Sequence, residues 1–294
     1  MGPDFQSVLP CGMVRAAIDT QAPEPARVTF IHLFLLAVIQ GITEFLPVSS
    51  SAHLILLPAL TSLEDQGLVL DVAVHVGTLF AVVLYFWRDV RMALLGIPGL
   101  FRWQIDNQGT WLALCLAIAT VPVMAAGLVL HVTGAMEMMR SVALIGWMMI
   151  LFGLVIWFFD RQSPQTRTIR NWGLKDALVL GLWQAVALIP GTSRSGACIA
   201  GARALGFARH DAARISMLMS IPTIIASGAL MGGDAVARAD LAALRDGAVA
   251  AGLSFVAALA ALAFMMKLLR YVSFTPYVIY RLGLGVILLW IAYA

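Results

Sequence analysis

Charge is what this 294-residue chain has least of. Asp, Glu, Lys and Arg together make up 12% of it, against about 25% in an ordinary soluble domain. The net charge of +3 is small, so there is no basic face with which to hold nucleic acid. Cysteine is scarce too. Cys11, Cys115 and Cys198 are too few and too scattered for a disulfide framework or a zinc cluster. Apolar residues fill the space that charge leaves: they make up 61% of the chain, and the mean hydropathy is +0.90. Together these features exclude an ordinary soluble enzyme and a disordered chain, and point to an all-α polytopic membrane protein.

The first 27 residues are the exception. Met1 to Arg27 hold Pro, Gln, Asp and Glu, with no apolar run long enough for a signal-peptide core. Gln6 stands where an N-myristoylation motif needs Ser or Thr. This stretch is expected to be a loosely ordered tail, followed by a single membrane domain over 28–294.

A membrane-spanning helix needs about 20 apolar residues. Six stretches qualify: 67–87, 111–131, 141–159, 211–231, 247–268 and 273–293. Trp87, Trp157 and Trp290 sit at span ends, where an amphipathic ring prefers the headgroup level. Two further apolar stretches, 28–46 and 174–189, run into a proline and a Ser-rich turn. The pieces beyond those turns, 54–62 and 197–206, are too short to span. Backbone broken at membrane depth is tolerated only where protein covers it or a polar cavity runs beside it. The two stretches therefore suggest re-entrant helix–turn–helix hairpins; the plainer alternative is two additional spans.

The two broken segments resemble each other. Aligned on their prolines, Pro47-Val-Ser-Ser-Ser-Ala-His53 faces Pro190-Gly-Thr-Ser-Arg-Ser-Gly196, with Gln40 and Gln184 upstream. Each half, 28–159 and 174–294, contains one hairpin followed by three spans. Three is odd, so the second half inserts upside down relative to the first, an inverted-topology repeat whose broken segments meet near the midplane. Positive charge agrees. Twelve residues fall on one side: Arg88, Arg91, Arg102, Arg161, Arg167, Arg170, Lys175, Arg203, Arg209, Arg214, Lys267 and Arg270. Five fall on the other: Arg15, Arg27, Arg140, Arg238 and Arg245. The richer side is expected to be cytoplasmic, with both termini outside. Arg194 and Arg281 remain, both at membrane depth.

Ionisable groups inside a membrane are costly and mark function. Here they are Glu44, His53, Asp71, His75, Arg194 and Arg281. Gln40 and Glu44, four apart, share one face of the first half-helix. Pro47 ends that helix, the serines can cap the next, and His53 lies in its first turn. Gly191, Thr192 and Ser193 form the second turn, beside Arg194. Two half-helix N-termini then converge, each with free N–H groups, and Arg194 adds a fork suited to phosphate oxygens. Ser49, Ser50 and Ser51 on one side and Thr192, Ser193 and Ser195 on the other complete a cradle for phosphate.

A carboxylate beside phosphate repels it unless a metal or a proton lies between. Gln40 and Glu44 can offer oxygens to such a metal, while Ser50 or His53 attacks phosphorus, or His53 serves as base for Ser50. Glu44 as a buried residue hydrogen-bonded across helices is the structural alternative. Asp71 and His75, also four apart, either pair or help line the cavity. Arg281 is either a partner for Asp71 or a second phosphate ligand. His32, His131 and His210 are expected near the interfaces, in water.

The run Gln40-Gly-Ile-Thr-Glu44-Phe-Leu-Pro47-Val-Ser-Ser50-Ser-Ala-His53 resembles the first signature of the undecaprenyl-diphosphate phosphatases, the bacitracin-resistance protein family. Pro190-Gly-Thr-Ser193-Arg194-Ser-Gly196 resembles the second. Order and separation agree over about 28–294, with further likeness from Asp71 to Trp87, from Ala212 to Pro222 and at Tyr280-Arg281. The resemblance implies hydrolysis of undecaprenyl diphosphate to the monophosphate and inorganic phosphate in the bacterial cytoplasmic membrane, which recycles the lipid carrier of cell-wall precursors. It implies a divalent cation, Mg²⁺ or Ca²⁺, and an active-site set of Glu44, Ser50, His53, Ser193 and Arg194, opening to the outer face. Gln40 falls where the family has Glu or Gln, so one carboxylate of a two-acid metal site is lost, and Cys198 replaces a frequent Thr.

The expected partners are a polyprenyl diphosphate substrate and membrane lipids, with no nucleic acid; a homodimer is compatible with the pattern. A transporter or flippase for polyprenyl phosphate is the competing function, since broken inverted repeats also build carriers. A channel would want a continuous polar stripe, which is missing. The enzyme reading leads because nucleophile, base and phosphate fork cluster in two short segments.

Overall fold

A computed structural model describes residues 29–54, 67–139, 141–238 and 241–294. The tail 1–27 and the apolar piece 54–62, apart from Leu54, lie outside the described residues. Those that are described form helices and no strand: α1 Phe30–Phe45, α2 Gly67–Tyr85, α3 Trp87–Phe101, α4 Gln108–Thr133, α5 Val142–Gln162, α6 Leu174–Val186, α7 Arg194–Ala204, α8 Arg209–Arg238, α9 Leu241–Leu268 and α10 Thr275–Tyr293. A further helix starts at Ser50 and is described to Leu54.

Among the described residues six helices, α2, α4, α5, α8, α9 and α10, are long and apolar enough to cross a bilayer. They are the six expected spans. Their outer faces carry exposed Phe80, Val121, Leu151, Phe158, Val256 and Phe264, an apolar surface that only lipid accommodates. The chain is a multi-pass membrane protein. Between the first two spans lies the amphipathic helix α3. It buries Val90 and Ala93 and leaves Arg88 and Arg91 exposed.

Local chemistry sets the helix ends. Thr29 caps α1, its hydroxyl accepting from the His32 N–H at 3.4 Å. At the other end Leu46, forced to extended backbone ahead of Pro47, stops the helix. Asn107 caps α4 by accepting from the Thr110 N–H, and Gly134 in the left-handed region closes it. Ser193 caps α7 by accepting from the Gly196 N–H at 3.1 Å. At 11 residues, α7 is about 16 Å long, half a hydrocarbon core of about 30 Å.

The packing of the two halves maps onto itself when they are exchanged. α1, the helix before the first turn, lies on α9; α6, the helix before the second turn, lies on α4, the matching helix of the opposite half. The first spans α2 and α8 touch each other, and so do the last spans α5 and α10. Close approach of α1 to α9 depends on Gly41, where a Cβ would meet the Ala257 Cβ at 2.7 Å and the Ser254 carbonyl oxygen at 2.7 Å.

The two turns match in detail. Ser49 and Ser193 have φ of 72° and 71°, left-handed values that cost a non-glycine residue about 1–3 kcal/mol. Each hydroxyl lies 3.1 Å from that of the serine two positions on, Ser51 and Ser195. The structural register therefore pairs Ser49 with Ser193 and Gln40 with Gln184. Alignment on the prolines is one residue off, because the second turn holds one more residue between its proline and its cap. Gly191, at φ 90°, absorbs the extra residue, a conformation open to glycine.

Candidate active site

Glu44 is the centre of the site. It projects from the last turn of α1, is buried, and has four side chains around it. Gln40, one turn earlier, donates its amide N–H to Oε2 at 2.9 Å. The Ser50 hydroxyl donates to the same oxygen at 3.1 Å. Arg194, the first residue of α7, donates from Nη2 to Oε1 at 2.8 Å and from Nη1 to the Ser216 carbonyl at 3.5 Å. His75 on α2 brings Nε2 to 3.8 Å from Oε2. Its other nitrogen lies 2.7 Å from the Asp71 carbonyl.

These groups face a cavity of about 220 Å³ lined by Glu44, Ser49, Ser50, Ser51, His75, Ser193, Arg194, Thr223 and Ser227, with Ala187 and Ile224. Pockets that enclose drug-sized ligands begin at about 300 Å³, so this one has room for a small polar group and not for a long lipid tail. Two larger cavities, about 440 and 620 Å³, lie beside α3 and the start of α4. In the first, the Arg214 guanidinium is already paired with Asp89. Neither brings hydroxyls, a carboxylate and a guanidinium to one point, so the smaller cavity is the candidate site.

The expected residues divide into two groups. Glu44, Ser49, Ser50, Ser51, Ser193 and Arg194 converge on the cavity. Gly191, Thr192 and Ser195 stand behind it: the carbonyls of Gly191 and Thr192 accept from Arg281 at 2.9 and 3.0 Å, and the Ser195 hydroxyl donates to the Leu46 carbonyl at 2.9 Å. His53 is not among the residues lining the cavity. Its Nδ1 lies 2.7 Å from the Ser49 carbonyl oxygen and its Nε2 lies 2.5 Å from the Tyr280 hydroxyl.

Arg281 takes neither of its two expected roles. It is fully buried, and its hydrogen bonds run to the main-chain oxygens of Pro47, Met148, Met149, Gly191 and Thr192. It binds both turns to the middle of α5. His32 is another correction. Expected in water, it is 5% exposed, because it lies one turn before the buried Leu36 on the inner face of α1.

A family model described as bacitracin resistance protein BacA matches residues 33–287. The chain belongs to the BacA family. Among its BacA relatives, an undecaprenyl-diphosphatase of Ruegeria pomeroyi is 64% identical over 266 residues, which span 90% of this chain and 100% of the relative. One of Roseobacter denitrificans, with the same name, is 62% identical over 266 residues, again 90% and 100%. A third undecaprenyl-diphosphatase, of Saccharophagus degradans, is 45% identical over 255 residues, 87% and 95%.

In this BacA chain His75 lines the cavity, one of its two expected roles, whereas sequence reasoning missed Thr223 and Ser227. The last two are four apart on α8, so a polar pair on one helical face at membrane depth was the available signal.

Among the described residues no group of three His, Cys, Asp or Glu side chains is placed to hold a metal. The donors present fit a cation held by one carboxylate together with substrate phosphates, the usual manner for Mg²⁺. The buried Gln40 Oε1 has no hydrogen-bond partner; the amide turns its nitrogen to Glu44, so this oxygen would join Glu44 on a cation only with the amide flipped.

Proposed function

We propose that this chain is an integral membrane undecaprenyl-diphosphatase, which hydrolyses undecaprenyl diphosphate to undecaprenyl phosphate and inorganic phosphate and so recycles the lipid carrier of cell-wall synthesis. The observation that carries it is the Ser50–Glu44–Arg194 constellation, in a cavity sized for a headgroup, in a chain of the BacA family. A carrier needs the anion cradle but has no use for a hydroxyl bonded to a carboxylate beside it.

The diphosphate enters the cavity with its tail in the bilayer. Guanidinium N–H groups of Arg194 and the N–H groups at the start of α7 take the terminal phosphate oxygens. Ser49, Ser51 and Ser193 offer hydroxyls around them. Ser50 is the nucleophile. As its Oγ bonds to the terminal phosphorus, the bond to the bridging oxygen breaks, undecaprenyl phosphate leaves, and Glu44 takes the hydroxyl proton. Glu44 passes that proton to the departing phosphate oxygen; the freed carboxylate then deprotonates a water, which cleaves the phosphoserine, and the proton returns to the Ser50 oxygen as inorganic phosphate is released. His53 belongs to the active site as the residue that holds the turn carrying Ser50. A divalent cation, Mg²⁺ or Ca²⁺, would be held by Glu44 and the Gln40 oxygen and would supply charge neutralisation on the diphosphate.

We place the protein in the bacterial cytoplasmic membrane with both termini outside, the two hairpins re-entrant, and the site reached from the outer face. The asymmetry of Lys and Arg supports this orientation. The exchange of packing partners between the halves supports an inverted repeat.

Phosphate release from undecaprenyl diphosphate by the purified protein in detergent tests the proposal, with Mg²⁺, Ca²⁺ or EDTA. Metal-dependent release that is lost in Glu44→Gln, Ser50→Ala and Arg194→Ala is expected. Folded protein that binds the lipid and releases no phosphate would overturn the enzyme in favour of a carrier.

A further inference from the structure

Both ring nitrogens of His53 are committed, at opposite ends of a three-residue relay. Nδ1 lies 2.7 Å from the Ser49 carbonyl oxygen, which can only accept, so Nδ1 carries a hydrogen. In the neutral imidazole Nε2 is then an acceptor, and the Tyr280 hydroxyl at 2.5 Å donates to it. The two rings also stack, within 2° of parallel and with centroids 5.6 Å apart, a second contact between the same two side chains. Neither nitrogen is left to attack phosphorus or to take the Ser50 proton.

The relay ends on the strained residue of the first turn. Ser49 has φ 72°, a conformation that persists only where its surroundings over-determine it. Its carbonyl is tethered by His53, which is held by a tyrosine 227 positions later on α10. The next residue is Ser50, whose hydroxyl must stay on Glu44.

We propose that Tyr280 is a positioning residue of the phosphatase: its hydroxyl fixes the tautomer and rotamer of His53, and His53 holds the Ser49 turn so that Ser50 is aimed at phosphorus. This rests on the reading of Ser50 as nucleophile. Tyr280 touches no reacting atom, and His53 acts through the main chain.

Tyr280→Phe keeps the ring and removes the hydroxyl, and is tested in the full chain in detergent. Loss of an outer hydrogen-bond partner commonly costs about 10–100-fold in activity. We expect kcat for phosphate release to fall by about tenfold or more, with KM for undecaprenyl diphosphate unchanged. Nitrogen NMR of imidazole-labelled protein gives a readout that a merely structural role would not move. In the wild type, His53, assigned by its loss in His53→Gln, should show a protonated Nδ1 and an acceptor Nε2. In Tyr280→Phe the Nε2 resonance should move. Unchanged kcat in folded Tyr280→Phe, or an unmoved Nε2 resonance, overturns the proposal.

If that variant does not fold, the wild-type spectrum decides: a protonated Nε2 overturns the relay. Full turnover by Ser50→Ala would instead sink the nucleophile reading, and the NMR result would stand apart from it.

Discussion

Arg194 Nη2 stands 2.8 Å from Glu44 Oε1, and 150 positions of chain separate the two residues. The pair joins the two broken segments across the cavity and holds the carboxylate against the Ser50 hydroxyl. It also keeps the site near neutral before substrate arrives. A diphosphate entering the cavity therefore meets donors whose cost of burial is already offset.

Arg194→Lys tests the geometry of the fork. Lysine keeps the charge but cannot bond Glu44 and a phosphate oxygen with fixed planar donors. We expect kcat/KM for phosphate release to fall by about 10²–10³-fold, the range for losing one transition-state donor. Thermal unfolding in detergent should stay close to that of the wild type, because the side chain borders a cavity.

Gln40→Glu tests the cation. Two carboxylates one turn apart repel each other without a metal between them. This variant is expected to be less active than the wild type at micromolar Mg²⁺ and to recover at millimolar Mg²⁺, with a steeper loss in EDTA. A metal titration of phosphate release reads this directly, and an unchanged titration curve would remove Gln40 from the cation site.

Arg281→Met tests the tie between the turns. Five main-chain oxygens lose their donor, and each buried acceptor left unpaired costs about 1–3 kcal/mol. We expect Tm in detergent to fall by about 10 °C or more, at about 2–4 °C per kcal/mol. Activity should be lost with the fold. A variant with unchanged Tm and reduced phosphate binding would make Arg281 a ligand after all.

Asp160→Asn probes the far end of the helices. The Asp160 carboxylate accepts from Arg203 at 3.3 Å, from Arg209 at 2.7 Å and from the Phe274 N–H at 3.2 Å, and Arg203 is fully buried. Neutralising one partner of such an arrangement costs about 3–5 kcal/mol. We expect a lower Tm with turnover per folded molecule and KM close to wild type.

By itself the sequence determined the six spans, the two broken segments and the short set of ionisable residues at membrane depth. Span length follows from bilayer thickness, and a proline or a buried charge announces itself locally. The motifs around Glu44 and Arg194 likewise carried the family and its chemistry. Other features were visible only once the halves packed. Glu44 could have met a metal, a proton or a hydrogen-bond partner on another helix, and the convergence of the two turns chose Arg194. His53 and His75 are equivalent candidates by composition. The tertiary structure turned the first toward Tyr280 and the second into the cavity. Arg281 bonds Pro47 across 234 positions, and the register of the two turns moved by one residue because Gly191 could take a left-handed φ. Hydropathy and helical period describe neighbours in sequence; these pairings depend on how two halves that bury different faces settle against each other.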